Sequence, residues 1–116
     1  MSLVFEENVP ARMRDGVTLY ADVFRPAAAG RYPVLLLRTP YGRERDRVGT
    51  AGWLDPVRAV RAGYVVMLQD CRGTGTSEGE AEFGAMVFEG RDGYDTVEWA
   101  AALPFSNGAV GMFGLS

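Results

Sequence analysis

Two short, unbroken apolar runs constrain the fold of this chain more than any other feature of its sequence. Pro33–Leu37 and Tyr64–Leu68 are continuous apolar segments, and the first ends at the turn residues of Thr39-Pro40-Tyr41-Gly42. A short apolar run bounded by turn residues is typical of a strand that is buried on both faces, as in a parallel sheet. The chain is therefore predicted to contain parallel strands.

The region before these runs has the pattern of an antiparallel hairpin. Val4–Arg12 is mixed in character and is predicted as an edge strand. Asp15-Gly16 is a strong turn signal. After it, apolar and other residues alternate with period two over Val17–Phe24, as expected for a second strand.

Two further segments are predicted as helices. Trp53–Ala62 has apolar residues at helical spacing, and Gly63 is a natural stop. Glu89–Leu103 carries acidic residues in its first turns, where they suit the positive end of the helix dipole, and Pro104 ends it. The Gly-rich, polar stretch 70–84 between the second apolar run and this helix is predicted as a long loop.

A third buried strand is predicted over Val110–Leu115, after a turn at Asn107-Gly108. Two antiparallel strands followed by strand–helix–strand–helix–strand indicate an α/β fold. We expect antiparallel strands at one edge of the sheet, parallel strands beside them, and helices on both faces.

Composition excludes several classes of protein. The chain has 116 residues, of which 47% are apolar and 23% charged, an ordinary globular mixture for one small domain. A net charge of −3 gives no electrostatic case for binding nucleic acid or an anionic membrane. No apolar run approaches a membrane span of about 18–20 residues. Met1–Pro10 lacks the pattern of a signal peptide, so a cytoplasmic location is expected.

The C-terminal residues contain the sharpest chemical signal. Gly114-Leu115-Ser116 follows an apolar strand, and it matches the first half of the Gly-x-Ser-x-Gly nucleophile elbow, in which a strand-to-helix turn exposes the serine. The alternative is an ordinary Gly-Leu-Ser loop after a strand. The preceding strand and helix favour the elbow, so Ser116 is a candidate nucleophile.

A second candidate, Tyr41, lies in the loop after the first buried strand. In α/β-hydrolases this loop supplies a donor to the oxyanion hole, and a tyrosine hydroxyl has suitable geometry for that role. The alternative is a Pro40-Tyr41 turn whose ring packs on the sheet edge. The residues themselves leave both interpretations open.

The chain contains no histidine, the usual base of a serine hydrolase. Either the protein is not such an enzyme, or we expect the histidine beyond Ser116.

The glycines of segment 70–79 suggest nucleotide binding only weakly, because their spacing is not Gly-x-Gly-x-x-Gly and no apolar helix begins there. We expect Asp70 and Arg72 to form an ion pair that orders this loop. Cys71, the only cysteine, cannot form an internal disulfide, and it is predicted to be inert and partly buried.

In combination, these segments resemble the CocE/NonD hydrolases, the cocaine esterase and X-prolyl dipeptidyl-peptidase family (peptidase family S15). The resemblance covers nearly the whole chain. The matching segments are Met13–Val23, Arg38–Tyr41, the Asp-x-Arg-Gly-x-Gly-x-Ser-x-Gly motif at Asp70–Gly79, the acidic helix with Trp99, Ser106–Gly108 and Val110–Ser116.

The resemblance implies that residues 1–116 are the N-terminal portion of an α/β-hydrolase catalytic domain that ends at the nucleophile elbow. It implies Ser116 as the nucleophile and the Tyr41 hydroxyl as one oxyanion donor, with no metal or other cofactor. The triad acid, the histidine, a helical cap and a C-terminal jelly roll would follow residue 116.

The implied activity is serine hydrolysis of a small-molecule ester or amide, or of a short peptide, through an acyl-enzyme. The alternatives are an X-Pro dipeptidyl-peptidase, another α/β-hydrolase, or a non-catalytic binding module if the chain truly ends at Ser116. No nucleic-acid or membrane partner is expected, and a homodimer remains open.

Overall fold

The computed structural model describes residues 2–47, 54–81 and 88–114. Within these ranges, five strands and two α-helices follow one another, with a short 3-10 helix after the third strand. Their bounds are β1 Leu3–Arg12, β2 Thr18–Pro26, β3 Tyr32–Thr39, the 3-10 helix Arg43–Asp46, α1 Pro56–Arg61, β4 Val65–Asp70, α2 Glu89–Ala102 and β5 Ser106–Met112.

The strands form one mixed sheet in the order β1-β2-β4-β3-β5. β2 pairs antiparallel with both β1 and β4, whereas β3 pairs parallel with both β4 and β5. The predicted α/β arrangement is therefore confirmed, with the antiparallel hairpin at one edge. No helix in the described ranges is long and apolar enough to span a membrane.

The two helices cover opposite faces of the sheet. Ala59 and Val60 of α1 belong to one hydrophobic cluster with Val66 of β4, whereas Ala100 of α2 belongs to another with Met67 of the same strand. The chain moves across the sheet in one direction from β3 to β4 and in the other direction from β4 to β5. Because such crossovers are right-handed, this reversal places the helices on different faces, as predicted.

The prediction for the last strand was wrong in its start and in its burial. The strand begins at Ser106, not after a turn at Asn107-Gly108. These two residues lie in an irregularity where the pairing shifts between Tyr32 and Val34, and the side chain of Asn107 accepts a 2.9 Å hydrogen bond from the backbone N–H of Ala109.

β5 is more exposed than predicted because, in the described chain, only one neighbouring strand pairs with it. β5 pairs there with β3, and of its residues only Ser106 is buried. Met112 is 57% exposed. Leu115, the predicted end of the strand, lies outside the described residues.

The first helix is shorter than predicted, and its start is defined by a cap. The side chain of Asp55 accepts a 3.0 Å hydrogen bond from the backbone N–H of Val57, and Pro56 occupies the first helical position. Both features are strong helix-start signals. Trp53, where the prediction began, lies outside the described residues. For α2, the prediction Glu89–Leu103 agrees with the observed helix to within one residue.

We predict that a polypeptide of residues 1–116, expressed alone, aggregates and shows no cooperative thermal transition. The exposed edge of β5 leaves backbone donors and acceptors unpaired beside apolar side chains, which favours edge-to-edge association. Light scattering and a thermal melt would test this, with Met112→Lys as a variant expected to reduce the association. A soluble monomer with a cooperative transition would contradict the prediction.

Candidate active site

The carboxyl ends of three parallel strands meet at one edge of the sheet. β3 ends at Thr39, β4 at Asp70 and β5 at Met112. In open α/β sheets, ligands bind outside the carboxyl ends of the strands. Each candidate from the sequence analysis follows one of these ends: Tyr41 comes after β3, the segment 70–79 after β4, and Ser116 after β5.

Tyr41 lies in the loop directly after β3. Its backbone N–H donates a 3.1 Å hydrogen bond to Oγ1 of Thr39, and the guanidinium carbon of Arg45 lies 5.0 Å from its ring centroid. The side chain is 56% exposed, and it belongs to none of the hydrophobic clusters of the described chain. Within the described residues the hydroxyl has no hydrogen-bond partner, so it is available to a ligand.

Ser116, like Leu115, lies outside the described residues, but the path toward it is defined as far as Gly114. Met112 pairs with Leu36, and the next backbone N–H, that of Phe113, donates a 3.0 Å hydrogen bond to the carbonyl oxygen of Leu36. The strand that leads to Ser116 is therefore the direct neighbour of the strand that leads to Tyr41.

The prediction of an ion pair between Asp70 and Arg72 is wrong, because the two side chains bind different partners. Asp70 accepts hydrogen bonds from Arg43, at 2.9 Å from its backbone N–H and also from its guanidinium. Arg72 makes two hydrogen bonds of 2.9 Å to Asp92 of α2 and a 2.9 Å ion pair with Asp15. The pKa of Arg72 is raised, chiefly by its hydrogen bonds to Asp92.

The glycines of the loop after β4 are explained by close packing. Gly75 has a φ of +53°, and a Cβ there would overlap the carboxylate of Asp70. A Cβ at Gly73 would overlap the backbone of Ala81. No helix starts within the described part of this stretch, residues 70–81. Those residues therefore lack the helix N-terminus that a nucleotide-binding loop uses for the pyrophosphate.

Cys71 is buried, more fully than the partial burial predicted. Its Sγ lies 3.7 Å from Oε2 of Glu89. Burial raises the pKa of the thiol to about 12, against an opposing effect of the positive charge of Arg38. The thiol therefore stays protonated near neutral pH and is a poor nucleophile. In the described ranges no group of three or more His, Cys, Asp or Glu residues could hold a metal ion.

Sequence reasoning missed Arg43, the most connected residue of this edge. Its side chain is buried, and its Nε lies 2.9 Å from Oδ1 of Asp22 in an ion pair without the alignment of a hydrogen bond. Asp22 also accepts a 2.6 Å hydrogen bond from Arg47. The sequence shows an arginine two residues after Tyr41, but it does not show that this arginine is buried, because its aspartate partners are distant along the chain.

Comparisons with known proteins agree with this architecture. The sequence model of the X-Pro dipeptidyl-peptidase (S15) family matches residues 15–116. Cocaine esterase from Rhodococcus sp. (strain MB1 Bresler) is 42% identical over 113 residues, which are 94% of this chain and 19% of the esterase. The chain thus spans about a fifth of the length of this relative.

Two solved structures are similar to the fold. A CocE/NonD family hydrolase from Staphylococcus aureus superposes with a TM-score of 0.85 at 30% identity, over 98% of this chain and 23% of that protein. An aminopeptidase from a marine sediment archaeon, Thaumarchaeota archaeon, gives a TM-score of 0.76 at 30% identity, over 98% and 21%.

We predict that Gly75→Ala destabilises the full-length protein more than Gly63→Ala does. Gly63 also has positive φ, but nothing lies within 4 Å of a Cβ there, so its substitution costs only backbone strain, about 1–2 kcal/mol. At Gly75 the methyl group also displaces Asp70 from Arg43, which adds about 3 kcal/mol. Urea unfolding of both variants measures the difference, and equal losses would contradict the packing explanation.

Proposed function

We propose that this chain, which belongs to the X-Pro dipeptidyl-peptidase (S15) family, carries the nucleophile and one oxyanion donor of a serine hydrolase. The observation that supports this most directly is the parallel pairing of β3 with β5. Ser116 follows Met112 by four residues, and Tyr41 follows Leu36, the partner of Met112, by five. If the backbone continues along its present course, both side chains reach the same edge of the sheet.

In the proposed reaction, the Ser116 hydroxyl attacks the carbonyl carbon of an ester or amide. The developing oxyanion accepts hydrogen bonds from the Tyr41 hydroxyl and from the backbone N–H of the residue after Ser116. Collapse of this intermediate releases the alcohol or amine and leaves an acyl group on Ser116. Water then attacks the acyl-enzyme and releases the carboxylic acid.

The base of this mechanism would lie outside residues 1–116, because the chain contains no histidine. A serine hydroxyl without a base of suitable pKa is a weak nucleophile. The neighbouring groups of the described edge do not replace histidine: Asp70 is held by Arg43, and the thiol of Cys71 stays protonated. A triad acid and histidine from a later part of the protein complete the proposal.

An acyl ester is the first substrate class to test, because the cocaine esterase relative is 42% identical to this chain. A peptide with a free N-terminus is the second, which is favoured by the family description and by the similarity to the archaeal aminopeptidase. Both classes pass through the same acyl-enzyme on Ser116.

We predict that a serine-directed fluorophosphonate labels the full-length protein at Ser116, because a histidine-activated serine at an elbow is unusually nucleophilic. Ser116→Ala should abolish both the labelling and the turnover of a p-nitrophenyl ester without changing the melting temperature. Ser106→Ala serves as a matched control that should keep the label. Mass spectrometry locates the adduct, and an adduct on another serine would refute the assignment.

For Tyr41→Phe we predict a fall in kcat of about 10²–10³-fold, the usual effect of removing one oxyanion donor. KM should change little, because the hydroxyl acts mainly on the transition state. The exposed side chain has no hydrogen-bonded partner among the described residues, so the melting temperature should be unchanged. Steady-state kinetics measure both constants. Full kcat in this variant would exclude the hydroxyl as a donor.

A further inference from the structure

We propose that Arg43 is a positioning residue for the Tyr41 hydroxyl, an inference that rests on the oxyanion role proposed above. Tyr41 itself has few restraints: its side chain is 56% exposed, and its ring contacts Arg45. A catalytic donor must nevertheless be held within a fraction of an ångström of its working position. The restraint must therefore come from the backbone that carries the tyrosine.

That backbone turns sharply immediately after Tyr41. Gly42 has φ +95° and ψ +112°, a conformation that favours glycine. The 3-10 helix Arg43–Asp46 begins at the next residue, and Arg45 of this helix also supplies the contact to the tyrosine ring. Any movement of the short helix would therefore move Tyr41 from two sides, through the chain and through the ring.

Arg43 fixes this helix to the sheet by its main chain and its side chain together. Its backbone N–H donates a 2.9 Å hydrogen bond to Oδ1 of Asp70 at the end of β4, and its guanidinium contacts Oδ2 of the same carboxylate. Nε lies 2.9 Å from the buried carboxylate of Asp22 in β2. One residue thus connects the loop after β3 to two neighbouring strands.

The remaining guanidinium contacts restrain the arginine itself. Nη1 donates a 2.8 Å hydrogen bond to Oγ1 of Thr76, and Nη2 donates to Oδ1 of Asn8. Thr76 Oγ1 and Asn8 Oδ1 are in turn joined by a 3.0 Å hydrogen bond. A lysine has one compact ammonium group and cannot reproduce this set of directed contacts. It keeps the positive charge between the carboxylates but loosens the geometry.

Arg43→Lys in the full-length protein tests the proposal. We expect kcat for a p-nitrophenyl ester to fall about tenfold or more, with KM within about twofold, because displacing a catalytic group by about 1 Å has effects of this size. Arg14→Lys is the matched control. Arg14 also pairs with an aspartate, Asp95, through Nε and Nη2, but on the exposed surface. Its kcat should equal that of the wild type.

A double-mutant cycle with Tyr41→Phe separates positioning from general stability. If Arg43 acts through the Tyr41 hydroxyl, Arg43→Lys lowers kcat in the wild type but causes no further loss in the Tyr41→Phe background. An equal loss in both backgrounds, or wild-type kcat for Arg43→Lys alone, would overturn the proposal. Full kcat for Tyr41→Phe alone would instead refute the oxyanion role itself, and the positioning role with it.

A milder variant keeps the test decisive if Arg43→Lys does not fold. Thr76→Val preserves the shape of an exposed side chain and removes the acceptor of the 2.8 Å hydrogen bond from Arg43. It should cause a smaller fall in kcat that also disappears in the Tyr41→Phe background. An unchanged kcat, or a fall that persists in that background, would count against positioning by Arg43.

Discussion

The burial of two carboxylates at one edge of the sheet determines how the surrounding loops are arranged. Asp22 and Asp70 are almost fully buried, and an unpaired charge in such a position costs several kcal/mol. Arg43 lies between them and pairs with both, and Arg47 supplies a second positive charge to Asp22. Burial alone would lower the pKa of Arg43, but the two carboxylates outweigh that effect and raise it. The loop after β3 therefore passes over Asp70 at the end of β4 and Asp22 in the middle of β2. The turn at Gly42 permits that path.

Strand alternation separates this cluster from a second polar cluster on the opposite face. Asp70 lies on the face of α1, whereas its neighbour Gln69 points to the face of α2, where Oε1 accepts hydrogen bonds from Arg38 at 2.7 Å and from Thr96 at 3.1 Å. Arg38 also pairs with Glu89 at the start of α2. Each face of the sheet thus has its own cluster of polar side chains near the candidate site. The cluster around Arg43 holds the loop after β3, and the cluster around Gln69 contacts α2.

Local patterns in the sequence predict the elements, and contacts between distant residues explain what was missed. Period-two alternation locates the hairpin, apolar runs locate β3 and β4, and acidic residues in the first turns with Pro104 at the end locate α2, because each signal lies within or next to its own segment. The same alternation puts Asp22 among the polar positions of β2, yet it is fully buried, since the loop carrying Arg43 covers it. The path of β5 past Asn107-Gly108 depends on pairing with β3. For the site, the sequence identifies Tyr41 as a candidate, but not the residues that hold its loop.

The Asp-x-Arg-Gly-x-Gly-x-Ser-x-Gly motif at Asp70–Gly79, one of the segments on which the family resemblance rests, consists of residues with structural roles. Asp70 holds Arg43, and Arg72 holds Asp92. Ser77 joins β2 to β4, because Oγ accepts a 2.9 Å hydrogen bond from the backbone N–H of Tyr20 and donates one of 2.7 Å to the carbonyl oxygen of Asp70. The glycines lie where a Cβ would overlap a neighbouring group: Gly73, Gly75 and Gly79. A match to this motif therefore indicates that the fold and its loops are retained. In the proposed mechanism, catalysis depends instead on the two hydroxyl groups of Tyr41 and Ser116, which the motif does not contain.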